Sequence, residues 1–130
     1  MLKDTFFSII EATDMENGRT YRLSLNASHP IFQAHFAGNP IMPGACVVQL
    51  IKELTSDYFG RKFFTCTVKN MKFLHAINPL ESPDISVRLT FLQQEAGRLS
   101  VSAVLNNDDI VFSKSTLFLD VSTESGSLSL

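Results

Sequence analysis

The sequence predicts an α+β domain in which a curved antiparallel sheet of about six strands wraps one long helix. Two observations carry that reading. From Ala45 to Phe59 the apolar positions recur at the spacing of one helical face, whereas over most of the remaining chain apolar and polar residues alternate with a period of two. A third, the turn signals that punctuate the alternating runs, makes the second half an antiparallel meander. At 130 residues and 45% hydrophobic, with 11 Phe and no Trp, the chain is long enough for a single core and too short for two. It shows no internal repeat and no linker, so one domain is expected over residues 1–120, with the Ser-rich end, 121–130, a frayed tail.

In chain order, the opening MLKDTFFSIIEATD has no sustained apolar core of the kind a secretory signal needs. Glu16-Asn17-Gly18 marks a turn, after which Tyr21, Leu23 and Leu25 alternate with Arg22, Ser24 and Asn26 as a strand. A loop rich in Gly and Pro leads to the helix, whose Val47, Leu50, Ile51, Leu54 and Tyr58 form its buried face and whose stop is Gly60. Gln49, Glu53 and Ser56 form a narrow polar stripe on this otherwise apolar rod, with Lys52 beside it. Phe63 to Lys69 and Asn70 to Ile77 read as one strand bent near Asn70. Ile85, Val87, Leu89 and Phe91 give the next, and Leu99, Val101, Ala103 and Leu105 another, with turns at Glu95-Ala96-Gly97 and from Asn106 to Asp109.

Composition excludes several classes of function. A net charge of −2 and a pI near 5.8 argue against a nucleic-acid partner, which calls for a basic surface. Cys46 and Cys66 belong to no CxxC or Cys/His spacing, so free thiols in a reducing compartment are expected. His29, His35 and His75 lack the HxxxH or HxH spacing of metal ligands, and no cofactor motif is present. Nothing approaches the length of a membrane span; the chain reads as cytoplasmic.

Chemistry concentrates in HFAGNPIMPG, His35 to Gly44, where a titratable imidazole precedes a loop punctuated by Gly38, Pro40, Pro43 and Gly44. Gly44 then opens the helix, so unpaired N–H groups and a partial positive charge face whatever lies before it. Read alone, His35 is a loop histidine capping a backbone group. HPIFQAHFAGNPIMPG followed by an apolar helix, however, resembles the signature of the beta-hydroxyacyl-acyl-carrier-protein dehydratases, hot-dog-fold enzymes of fatty acid synthesis. The likeness continues through VKNMKFLHAINP and the strand pairs to Phe118, covering roughly residues 5–120.

The resemblance implies a site. His35 matches the family's histidine, which removes the proton next to the thioester carbonyl, and Gly44 the glycine whose N–H polarises that carbonyl. It implies acyl carrier protein as the partner that delivers a 3-hydroxyacyl thioester, and a homodimer or higher homo-oligomer in which histidine and acid come from different subunits. His29 is expected to bond backbone at its corner, and His75, where relatives carry a basic residue, to face the carrier protein. One position departs from the pattern. Five residues after Gly44 the family places a carboxylic acid, and this chain has Gln49; four residues on, where relatives have Gln, stands Glu53. An amide cannot give up a proton as an acid can, although it can hold a hydroxyl or a water. Either Glu53 presents its carboxylate to the same cavity, one turn along, or it is a solvated neighbour of Lys52. Three functions stay open: 3-hydroxyacyl-acyl-carrier-protein dehydratase with Gln49 or Glu53 handling the hydroxyl, acyl thioesterase, and a non-catalytic acyl-binding subunit. Phe32, Phe36, Met42, Phe73 and Phe91 are candidates to line an acyl tunnel and equally to be plain core.

Overall fold

The computed structural model describes residues 2–34, 40–93 and 97–121. Six strands, β1 (Phe7–Met15), β2 (Gly18–Leu25), β3 (Phe63–Phe73), β4 (Asp84–Gln93), β5 (Arg98–Asn106) and β6 (Val111–Val121), form one antiparallel sheet in the order β1-β2-β4-β5-β6-β3. Two helices, α1 (Pro30–Ala34) and α2 (Gly44–Phe59), interrupt it between β2 and β3. The expected architecture, one long helix on an antiparallel sheet of six strands, is therefore what the chain forms.

The core lies where the two periodicities meet. Val47, Leu50, Ile51 and Leu54 of α2 are buried together with Tyr21, Leu23, Val87, Leu89, Val101, Leu117 and Leu119 from the sheet. Gly60 ends the helix in a left-handed conformation, φ 67°, which glycine adopts without a Cβ clash. Its N–H and that of Arg61 donate to the Ser56 carbonyl at 2.8 and 3.2 Å, satisfying the last turn. The expected bend in β3 is a register shift between Val68 and Asn70 against β6.

Two elements went unforeseen. Strand β1 pairs only with β2, at the sheet edge, and its residues from Ile10 to Asp14 are exposed on both faces, so no alternation marks it. Helix α1 is a single short turn. β6 runs to Val121, one residue into the stretch assigned to the tail, and pairs there with Phe63; residues 122–130 lie outside the described residues. No helix among the described residues is long and apolar enough to cross a membrane.

Candidate active site

The first turn of α2 has no side-chain cap. Pro43 occupies the N-cap position in extended backbone, φ −65° and ψ 149°, and its carbonyl receives the N–H groups of Cys46 and Val47. Proline supplies no hydroxyl or carboxylate to cover the helix end, so the partial positive charge there stays available. The preceding loop is fastened where Met42 N–H donates to the Ile77 carbonyl at 2.9 Å. A cavity of about 410 Å³ opens over this end, lined by Met42, Pro43, Gly44, Val47, Phe73 and His75 among others.

The expected base, His35, lies outside the described residues, as do Phe36 and Gly38. Its immediate neighbour in the chain, α1, is held from two sides. His29 Nδ1 accepts the Ile31 N–H at 3.1 Å, and Phe32, buried, stacks on Phe6 with ring centroids 4.7 Å apart. The expectation that His29 bonds backbone is met. His75 is exposed on the rim of the cavity over Gly44, with its Nδ1 2.7 Å from the Ala76 carbonyl, a contact that places a proton on Nδ1 when the ring is neutral. Of the aromatic and methionine candidates for a tunnel, Phe32 and Phe91 are buried in the core, Met42 is buried and also lines the cavity at Gly44, and Phe73 is exposed beside Gly44.

Gln49 and Glu53 are in hydrogen-bond contact, the Gln49 amide nitrogen donating to a Glu53 oxygen at 2.9 Å. They share a second cleft, about 450 Å³, with Lys3, Lys52, Ser56 and Arg61. The polar stripe read from the helix period is thus one wall of a cleft. Glu53 does more than face solvent: Leu2 N–H lies 3.0 and 2.8 Å from its two oxygens, and Lys3 N–H donates to one of them at 2.9 Å. These backbone donors carry no sequence signature, and the contact was not anticipated.

A second unanticipated cluster lies further along α2. The Tyr21 hydroxyl, buried, donates to Asp57 at 2.8 Å; Arg19 donates to Asp14 at 2.6 Å and lies over the Tyr58 ring, 4.8 Å from its centroid. Burial, with Asp57 as acceptor, pushes the Tyr21 phenol well above its ordinary range. Both cysteines are free, and burial pushes both thiols up, with Lys52 partly opposing this at Cys66. Among the described residues no three His, Cys, Asp or Glu side chains gather as a metal would require.

Gly44 and Gln49 do not open on the same space. Five residues along a helix correspond to a rise of ~7.5 Å and a rotation of roughly 140°. The lining of the cavity at Gly44 and that of the cleft at Gln49 have no described residue in common.

Comparison with known proteins bears on the family and the fold. The model of the ApeI-like family, described as ApeI dehydratase, matches residues 11–114. The 3-hydroxyacyl-[acyl-carrier-protein] dehydratase FabZ of Latilactobacillus sakei is 27% identical over 106 residues, covering 76% of each chain. Among solved structures, the dehydratase heterocomplex ApeI:P from Xenorhabdus doucetiae superposes with a TM-score of 0.65 at 16% identity, covering 87% of this chain and 96% of that one. A sigma28-regulated virulence protein from Campylobacter jejuni shares the fold with a TM-score of 0.61 at 10% identity, over 92% of this chain and 85% of its own, so the fold alone does not select an activity.

Proposed function

The chain belongs to the ApeI-like dehydratases, and on that premise we propose that it removes water from a 3-hydroxyacyl thioester on acyl carrier protein to give the trans-2-enoyl thioester, in fatty acid or related lipid biosynthesis. The observation that carries the reading is the uncapped start of α2 at Gly44, opening on a cavity that Ile41, Met42, Pro43 and Gly44, the last residues of the HFAGNPIMPG motif, help to line.

In this reading the thioester carbonyl lies against the Gly44 N–H, where the helix end stabilises the negative charge of an enolate. The His35 imidazole takes the proton from the carbon beside the carbonyl. The C–O bond at the next carbon then breaks, and the departing oxygen leaves as water with the proton that His35 has just received. Gln49 holds the 3-hydroxyl in place and is not asked to supply the proton. Glu53 stands behind Gln49, its oxygens facing the Leu2 and Lys3 N–H groups and the Gln49 amide.

The separate linings at Gly44 and Gln49 support a site shared by two copies, Gly44 and His35 coming from one and Gln49 from the other. Homodimerisation is part of the mechanism we propose. The test is an assay of purified protein on 3-hydroxyacyl and enoyl thioesters of several lengths, with free-thiol release followed in parallel. Interconversion of hydroxyacyl and enoyl forms without thiol release supports the reading; thiol release that survives His35→Ala and is lost in Glu53→Gln replaces it with a thioesterase.

One observation favours a second reading, a subunit that needs a relative. The matching ApeI:P structure is a heterocomplex, and this chain lacks the acid at position 49. An acid-bearing partner would complete the His35 and Gly44 site across the interface. Turnover that appears only when such a relative is added selects this reading.

A further inference from the structure

We infer that Glu53 is a positioning residue: anchored by the backbone ahead of β1, it turns the Gln49 amide so that the carbonyl oxygen is the atom offered to the substrate's 3-hydroxyl. The inference rests on the dehydratase reading for the identity of the hydroxyl, and on the hydrogen bonds alone for the orientation.

An ionised Glu only accepts, through about four lone-pair sites on two oxygens. At Glu53 the Leu2 N–H reaches both oxygens, at 3.0 and 2.8 Å, and Lys3 N–H and Gln49 Nε2 reach one each, both at 2.9 Å. Only the nitrogen end of an amide can face an acceptor of this kind, so the assignment of nitrogen and oxygen at Gln49 is fixed by chemistry. With Nε2 tied down, Oε1 is the end left to receive a hydroxyl proton. A hydrogen bond to a charged acceptor is shorter and stronger than a neutral one, and it polarises the amide so that Oε1 is a better acceptor.

The exchange of acid and amide between positions 49 and 53 follows from the same geometry. Position 53 meets backbone donors from Leu2 and Lys3, which a carboxylate satisfies on both oxygens and an amide on one. The segment that supplies them reaches the other half of the site as well. Asn26 donates from Nδ2 to the Thr5 carbonyl and from its backbone to the Phe6 carbonyl, both at 2.9 Å, and Phe6 stacks on Phe32, three residues before His35 in the chain.

The test has two arms. In ¹⁵N-labelled protein, the Gln49 side-chain NH₂ pair, assigned by its loss in Gln49→Ala, should exchange slowly and be shifted away from free-amide positions. In Glu53→Ala, and in Leu2→Pro, which removes a backbone donor while leaving both side chains of the pair, it should return toward them. In the second arm, both variants should lower kcat for dehydration about tenfold with KM within about twofold, and neither should lower it further in a Gln49→Ala background. Losses that add to that of Gln49→Ala, or a Gln49 amide pair indifferent to Glu53 and Leu2, would overturn the inference. A native protein that turns over no hydroxyacyl thioester would remove the dehydratase reading instead, and the amide resonances would then decide the orientation by themselves.

Discussion

Phe73 lies against Gly44 at the start of α2, so closely that a Cβ at position 44 would sit 3.0 Å from the ring's ζ carbon. The obstacle is the far end of a side chain that is 55% exposed, so the ring can swing aside. Gly44→Ala should therefore fold, with a stability change within about 1 kcal/mol by thermal melting, because alanine also suits a helix better than glycine. The displaced ring has the adjoining cavity to enter. KM for an acyl thioester should rise, and Phe73→Ala in the same chain should bring it back down; a Gly44→Ala protein with unchanged KM would place the thioester elsewhere.

The Tyr21 hydroxyl joins β2 to the last turns of α2 through Asp57 and the Leu54 carbonyl. Tyr21→Phe should cost about 1–2 kcal/mol in urea unfolding, since a buried donor is lost and its acceptors are left short. The phenol is held above its ordinary value of 10.0, first by burial, so the folded state favours the protonated form. That contribution is fully present below the unfolded value, and it is lost as pH rises beyond about 10. Stability of the native chain should accordingly fall more steeply above that pH than stability of Tyr21→Phe.

Substitutions at His29 and His35 would separate a supporting role from the proposed chemical one. His29 Nδ1 accepts the Ile31 N–H and its ring meets Phe6 edge-on, with centroids 5.2 Å apart. His29→Ala should lower stability by about 1 kcal/mol, the scale of a lost helix cap. His35→Ala should leave the melting curve in place and cut dehydration by about 100-fold or more, the scale of general-base loss. Equal losses of turnover in both variants, tracking stability, would give His35 a structural part.

What was legible in the sequence followed from burial. Helix α2 and the strands β2, β4 and β5 announced themselves because each has one face in the core, and period follows from that. β1 did not, being exposed on both faces from Ile10 to Asp14, and β6 was blurred because Ser113 and Ser115 occupy inward positions in line with Leu117 and Leu119. At the site, the polar stripe of α2 was visible as spacing. Its use was not: Glu53 is answered by the backbone of Leu2 and Lys3, and any residues at those positions other than proline would supply the same N–H groups. The Tyr21–Asp57 bond joins residues 36 apart that no local pattern connects.

Exchanging the pair is the most direct probe of why this chain carries Gln at position 49 and Glu at position 53. In Gln49→Glu alone, two carboxylates replace a donor and an acceptor that lie 2.9 Å apart. Like charges at that separation repel, and the contact can be kept only if the two share a proton. The single variant should therefore be most stable at acidic pH and lose stability as pH rises toward neutrality, the sign expected when folding favours the protonated form. Gln49→Glu with Glu53→Gln restores one donor and one acceptor in reversed order, with the amide carbonyl of residue 53 free to receive a backbone N–H. By urea unfolding at pH 7 the double variant should be more stable than the single one. It should also dehydrate at least as fast as the native chain, because an acid at position 49 can share with His35 the task of protonating the departing oxygen. A double variant that folds as well as the native protein and turns over more slowly would show that the native amide is itself the better group for this chain's reaction.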